Sequence, residues 1–479
     1  MQAHPAAERL RELAHAHSVP GAQLTVHRAG ESLSTVTGVM RSGTAEAVTT
    51  RTAFAFGSVT KAFTATVVAQ LVGDGDLELD DPVAEYLAEF DAAADPRIAS
   101  ATVRDLLGHT AGLVADHELD NADEASLARY AASVAATTAL HAPGDCFSYS
   151  NSGYNILGRV VEAVVDMKWQ AAMENFLLRP LGITPLFLHD PSPAGRARAD
   201  CHVVRPGSSG ERTAHPVDLF LPASWAPAAG LAGSADDLVA LARLHLGTHP
   251  ESAALLDEEH RTAMRTRLPA ADAFGMADGW GLGLAHYAPP AGDATGAYEG
   301  AYEGAYQGQF EGDFEGDFEG DWLGHDGTVD GGTAHLRFHP ASGTAVALTT
   351  NATTGTSMWA DVVDALRADG LPVGDYRPTL PQRPVTTPAG PDAIAGLLGA
   401  YRNGDTCFRV RTDDGGTGLR FSDGTGLTAE MTLHDGHVFT ARRTDADEAP
   451  YTGRFVIDPA TGEAALLQLG GRSARRAAA

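Results

Sequence analysis

The 479-residue chain is poor in lysine, cysteine, positive charge and long apolar runs, and each shortage closes off a class of function. Lysine occurs only at positions 61 and 168; the other 32 of the 34 basic residues are arginines. That skew, with abundant Ala and Gly, matches GC-rich coding bias and makes each lysine worth inspecting. Against 62 acidic residues the formal net charge is −28, so the summed field repels phosphate backbones and anionic membrane surfaces. Neither nucleic acid nor membrane is expected as a partner. Cys146, Cys201 and Cys407 lie far apart and form no CxxC pair, which argues against a disulfide framework and a cysteine metal site. They read as small buried side chains, with Cys146 set apart by its nearness to Tyr149. No cofactor or metal is implied. No stretch approaches the ~18 apolar residues of a membrane span. The opening MQAHPAAERL carries charges where a secretory signal needs an apolar core, so a cytoplasmic location is expected.

What is present has a clear order. Residues 7–16 read as a surface helix, and GAQLTVHRAGESLSTVTGVM as a β-hairpin. Residues 63–71 read as a buried helix, and residues 100–240 as mostly helical. Strands return at GWGLGLAHY, TAHLRFHP and TAVALTTN. Strands at both ends of a segment with helices between them predict an α/β domain over 1–370, a sheet lobe plus a helical lobe. Within it, 297–324 is a low-complexity insert of AYEG- and DFEG-like tetrads with eight carboxylates, which reads as a solvated loop. A Pro-rich linker follows over 371–391. After it, 392–479 shows short alternating strands with Gly/Asp turns, the pattern of an all-β barrel or sandwich. The closing Arg472, Arg475 and Arg476 read as a solvated terminus, with contact to an acidic carrier protein as the alternative.

The chemistry centres on Ser58-Val-Thr-Lys61 at a helix start. One helical turn places residues i and i+3 on the same face, so the lysine reaches the hydroxyl. A serine becomes nucleophilic near neutral pH only beside a base, and a desolvated lysine supplies one.

With its surroundings, this motif resembles the penicillin-recognising serine enzymes, in the class C β-lactamase and DD-peptidase branch. The likeness rests on FAFGSVTKAF, DLLGHTAGL (105–113), YSNSGYNILGRVVE (149–162) and HDG (325–327), and covers about residues 8–368. It implies a β-lactamase/transpeptidase-like fold, an antiparallel sheet lobe plus a helical lobe, followed here by a lipocalin-like β-domain. It also implies that Ser58 is the acylated nucleophile and Lys61 its base. Tyr149 would shuttle a proton, and Asn151 would position Lys61 and the substrate carbonyl. The oxyanion hole would be the backbone N–H groups of Ser58 and Thr328. Asp326, Gly327 and Thr328 complete the expected substrate-binding set, and Gly327 lets the strand approach the acyl group. Where β-lactamases carry Lys-Thr-Gly, this chain has His325-Asp326-Gly327. A histidine there can donate to a substrate carbonyl or tune Tyr149, and it is not a fixed cation. His109, in the GHTAGL turn, is structural in this family.

Four activities compete: a β-lactamase, an exported DD-peptidase, an intracellular esterase or D-stereospecific peptidase, and a standalone thioesterase of penicillin-binding-protein type. The absent signal and the His325 substitution weigh against the first two. The last joins a cytoplasmic chain, an SxxK/YxN/HxG set and a C-terminal β-domain. It would macrocyclise a nonribosomal peptidyl thioester with a D-residue at the acyl position, with a peptidyl carrier protein as a possible partner. A sensor that only acylates is the non-enzymatic alternative; the intact Ser58, Lys61 and Tyr149 set argues against it.

Overall fold

The computed structural model describes residues 5–119, 126–190, 195–207, 211–290, 319–378, 394–413, 418–424, 426–444 and 450–477. The strands Gly21–Arg28 and Glu31–Gly38 alternate around the two-residue turn Ala29-Gly30, both at positive φ, which suits the twist of a tight hairpin. They form one edge of a seven-stranded antiparallel sheet. Its remaining strands run in the order Thr344–Thr350, Gly332–His339, Trp322–Val329, Ala285–Tyr287 and Gly279–Trp280. Leu24 pairs with Leu348, so the two ends of the domain meet as the second and third strands of the sheet and the helices are inserted between them.

One face of the sheet is covered by the helices Pro5–Ala16 and Gly355–Ala368, through Leu10, Leu13, Met358 and Val362. The other face packs on the helical lobe around Thr60–Gly73. That helix is buried on nearly every side, as its almost unbroken apolar and small residues require. The α/β expectation holds.

The C-terminal domain is a closed eight-stranded antiparallel barrel. Its interior is filled by Tyr401, Val410, Phe421, Phe439, Phe455 and Leu467, as expected at this strand number.

Three expectations from the sequence need correction. The arginine-rich end is not a solvated terminus: Arg472–Arg476 is the eighth strand, closing the barrel by pairing Tyr401 with Arg476. The start of the Pro-rich stretch is not free linker. Leu371 and Val373 are buried, and Asp375 accepts hydrogen bonds from Arg337 (2.7 Å) and Trp359 (3.1 Å). Finally, the last residues of the low-complexity insert are not loop. Trp322 and Leu323 are buried at the start of the strand that carries His325, and Asp321 accepts from Arg267 and pairs with His286. The rest of the insert up to residue 318, and linker residues 379–391, lie outside the described residues.

Candidate active site

Ser58 stands in a tight 3-10 turn, Gly57–Val59, that leads directly into the Thr60–Gly73 helix. Gly57 has φ +51°, and a Cβ there would meet the Thr328 carbonyl oxygen at 2.6 Å. Across the gap, a Cβ on Gly327 would meet the Phe56 carbonyl oxygen at 2.0 Å and the Ser58 nitrogen at 3.0 Å. Two glycines therefore let the Trp322–Val329 strand lie against the serine turn. The neighbouring Ala285–Tyr287 strand reaches only as far as Gly324, leaving the 325–329 edge open to the cleft.

Lys61 is fully buried one turn below Ser58. Its Nζ lies 3.0 Å from Ser58 Oγ, 2.6 Å from Asn151 Oδ1 and 2.8 Å from the Ala228 carbonyl oxygen. Two of these partners can only accept. A neutral amine has two N–H groups for them, and its lone pair is then left for the one partner able to donate, the Ser58 hydroxyl. Burial favours that neutral state, pushing the Lys61 ammonium well below its ordinary range; Asp116 opposes the shift and Arg472 reinforces it.

Tyr149 and Asn151 reach the site from the start of the Asn151–Val165 helix. Ser150 caps this helix by accepting from the Gly153 N–H at 3.0 Å. The Tyr149 ring is 5.0 Å from Lys61 Nζ. Burial raises the phenol, and a hydrogen bond with Ser58 opposes the rise. His109 is a packing residue as expected of its turn. It lies 4.3 Å from the Tyr149 ring, and its Nδ1 accepts from the Ser150 N–H at 3.1 Å.

His325 differs from one expectation. Its Nδ1 lies 2.6 Å from the Asp326 carbonyl oxygen, which can only accept, so Nδ1 carries the proton. Burial, with Lys61 adding to it, lowers the ring to about 3, so it is neutral. Among the described residues Nε2 has no partner and presents a lone pair; in this tautomer it accepts a proton and cannot donate one to a carbonyl. Asp326 borders the same cleft. Its carboxylate is turned toward Arg337 (2.8 and 2.9 Å), His335 (2.7 Å) and Tyr287 (3.1 Å).

Ser58, Tyr149, Asn151, His325 and Thr328 share one cavity of about 770 Å³. Leu219, Leu221, Trp225 and Phe220 (65% exposed) make an apolar wall. The barrel forms part of the rim. The Gly471 carbonyl accepts from the Tyr149 N–H at 2.8 Å, and Arg472 lines the cavity. A second hollow of about 1020 Å³ between barrel and helical lobe contains none of the motif residues. Among the described residues no three His, Cys, Asp or Glu side chains are grouped as metal ligands, and no helix is long and apolar enough to cross a membrane. Cys146 is a poor nucleophile, its thiol pushed up to about 11 by burial.

The sequence reading missed two residues here. Arg472 reads from its charged surroundings as part of a loose terminus, and Asp116 carries no flanking motif. Arg472 donates to Asp116 at 2.7 Å, and Asp116 accepts from the Asn151 amide at 2.6 Å.

A buried lysine against a helix-start serine, on a sheet-plus-helix scaffold, defines a serine acyl-transfer enzyme. The chain belongs to the Beta-lactamase family, whose model matches residues 6–368, and it is a serine hydrolase or acyltransferase of that family. It is 34% identical over 404 residues to Penicillin-binding protein 4 of Amycolatopsis lactamdurans, covering 82% of this chain and 96% of that one. The crystal structure of SurE superposes with a TM-score of 0.83 at 42% identity over 98% of both chains, barrel included. The structure of SurE with D-Leu gives 0.81 at 41% identity, again over 98% of each chain.

Proposed function

We propose that this protein is a macrocyclising acyltransferase: a peptidyl thioester with a D-residue at its C-terminus acylates Ser58, and the peptide's own N-terminal amine releases it. The observation that carries the reading is the 3.0 Å contact of the buried Lys61 Nζ with Ser58 Oγ, beside two partners that can only accept. In the first half-reaction Lys61 takes the hydroxyl proton as Oγ attacks the thioester carbonyl. The backbone N–H groups of Ser58 and Thr328 receive the oxyanion, and the thiol leaves with a proton returned through Lys61 and Tyr149. In the second, the amine attacks the ester carbonyl and its proton passes to the neutral Lys61 amine, either directly or through Tyr149, which hands on its own phenol proton as it accepts; Lys61 then returns that proton to Ser58 Oγ as the ester C–O bond breaks.

Two features support a cyclase over a hydrolase. The barrel narrows the cleft beside Tyr149, which limits water at the acyl-enzyme. The apolar wall suits a folded peptide, and a tethered amine has an effective molarity up to about 10⁵ M or more. The preference for a D-residue is in keeping with the likeness to SurE, which has been solved with D-Leu. The reading carries with it a cytoplasmic setting and delivery of the substrate on a peptidyl carrier protein or as a free thioester.

The test is product analysis. Linear peptidyl N-acetylcysteamine thioesters ending in a D- or an L-residue are incubated with the enzyme and separated by liquid chromatography with mass detection. The expected result is mainly macrolactam, one water lighter than the linear acid, with the D-substrate favoured at least tenfold in kcat/KM. Linear acid from every peptide, with D and L handled alike, would leave an esterase. Hydrolysis confined to D-residues would point to a D-stereospecific peptidase.

A further inference from the structure

A continuous chain of polar contacts runs from the end of the barrel to the serine. Arg472 Nη1 donates to Asp116 Oδ2 (2.7 Å), and Asn151 Nδ2 donates to Asp116 Oδ1 (2.6 Å). Asn151 Oδ1 accepts from Lys61 Nζ (2.6 Å), which lies 3.0 Å from Ser58 Oγ. Arg472 comes from the last strand of the chain, and Asp116 from the loop after the GHTAGL turn. We infer that Arg472 and Asp116 are a positioning pair: the barrel, through Asp116, sets which face of the Asn151 amide meets Lys61, so the catalytic domain is complete only with the barrel docked. This rests on the reading of Lys61 as the base.

The argument is one of donors and acceptors. A carboxylate can only accept, so an ionised Asp116 must take the Asn151 NH₂ group, and Oδ1 is left facing Lys61. With the amide turned over, its NH₂ would donate to the lysine lone pair and block the base. Asp116 thus selects the productive amide orientation, but its negative charge also favours a protonated Lys61. Arg472 neutralises that charge across a 2.7 Å contact. The other groups facing Lys61 are Tyr149, Tyr154, His109 and His325. The phenols are raised and the imidazoles lowered by burial, so all four are uncharged near neutrality. Asp116 and Arg472 are therefore the charges through which the field at Lys61 can be changed by substitution.

Barrel docking does not depend on the arginine side chain. Gly471 O accepts from Tyr149 N–H, Gln468 Nε2 donates to Phe147 O (3.0 Å), Ser473 N–H donates to Ser148 Oγ (3.1 Å) and Ala115 N–H donates to Asn403 Oδ1 (2.7 Å). Arg472→Gln is thus expected to leave the interface in place, and thermal melts of each variant check this.

The experiment follows acylation of Ser58 in the full-length enzyme by N-acetyl-D-leucyl N-acetylcysteamine thioester. Rates come from quenched samples weighed by intact-mass spectrometry between pH 5 and 9. A base works only when deprotonated, so the rate falls on the acid side. Arg472→Gln should move that acid limb up by about half a pH unit or more, a threefold or greater loss at a fixed pH on the limb. Arg472→Lys, which restores the charge, should bring it back. Asp116→Asn should move the limb down and also lower the plateau several-fold, because the amide orientation is no longer enforced. The double variant should regain a near-normal limb position with the lowered plateau. Lys61→Arg separates the two claims. If it keeps the wild-type limb, the base reading falls and this inference with it. If it abolishes the limb while Arg472→Gln and Asp116→Asn leave it unmoved, or move it the same way, the positioning pair alone is overturned.

Discussion

Among the described residues of the catalytic domain, Lys61 and Arg337 are both fully buried, and they are handled in opposite ways. Arg337, on the strand beside the one that carries His325, is held by two carboxylates: Asp326 at 2.8 and 2.9 Å and Asp375 at 2.7 Å. The Tyr287 ring lies 3.4 Å from its guanidinium carbon, and the Asp326 charge holds the guanidinium firmly protonated. Lys61 is buried as completely but touches only neutral oxygens, those of Ser58, Asn151 and Ala228. Its nearest carboxylate, Asp116, is one amide away and already paired with Arg472. Equal burial therefore gives opposite outcomes, because a charge removed from water needs a counter-charge in contact or it gives up its proton. One site uses the cation to hold structure together; the other is built to lack it.

The largest way to break this contrast is Lys61→Arg. Arginine keeps a cation and can reach similar acceptors, but it does not deprotonate at accessible pH, so it cannot take the Ser58 proton. It also forces a permanent charge into a pocket with no carboxylate in contact. Acyl-enzyme formation should fall by about 10²–10⁴-fold, close to the Lys61→Ala value and to the complete loss in Ser58→Ala. Single-turnover acylation with mass detection measures it. An arginine variant retaining more than a few per cent of the rate would replace base catalysis by a purely electrostatic role.

The converse change, Arg337→Met, fills a similar volume while leaving Asp326 and Asp375 without their cation. Removing one partner of a buried ion pair costs about 3–5 kcal/mol, and the low end applies because the Asp326 carboxylate borders the cleft and can recruit water. The expected result is a loss of about 3 kcal/mol in urea unfolding, with a fall of several degrees in the melting point. Asp375 belongs to the segment that leaves the domain, so the variant should also make residues after 371 more susceptible to protease. A melting point within a degree of wild type would mean that Asp326 and Asp375 find other partners.

These two sites also differ in how far they can be read from the chain. Ser58 and Lys61 are legible because one helical turn brings a lysine at i+3 onto the face of a serine at the helix start, and the Tyr149-Ser-Asn151 element precedes an amphipathic helix that marks its place. Arg337 is hidden. It lies on Gly332–His339, a strand buried along its whole length, so alternation does not separate its faces and an arginine in TAHLRFHP looks outward. Arg472 is hidden for a different reason. Its nearness to Lys61 depends on barrel closure between Tyr401 and Arg476, a long-range pairing that no local pattern encodes, and RSARR resembles a charged tail. Asp116 has no flanking signal. Trp322 and Leu323 were masked by the composition of the repeat before them, although an apolar pair ahead of HDG fits a buried strand.

The smallest test extends the comparison to a third buried group without a counter-charge. His245 lies on Ala235–Leu246, stacked against Phe338 with ring centroids 5.6 Å apart. Thr66 Oγ1 donates to the Ala62 carbonyl (2.7 Å), so it accepts from His245 Nε2 at 3.0 Å, and Nδ1 is left bare. Burial, reinforced by Arg265 and Arg261, lowers the ring from its ordinary 6.5 to about 3. A depressed histidine contributes its full stability above the unfolded value near 6.5. That contribution is lost as pH falls toward 3, because the unfolded chain binds the proton first. Between pH 7 and pH 5 this single residue should cost about 2 kcal/mol. His245→Phe removes the titration while keeping a ring against Phe338. Its absolute stability at pH 7 should drop slightly with the lost Thr66 contact, so the quantity to compare is the pH dependence. Urea unfolding at pH 7 and pH 5, followed by tryptophan fluorescence, should show the variant losing about 2 kcal/mol less than wild type over that interval. Equal losses in the two proteins would mean that His245 is protonated in the folded state. Burial without a counter-charge would then not be enough to strip a cation in this core, and the same argument for Lys61 would weaken with it.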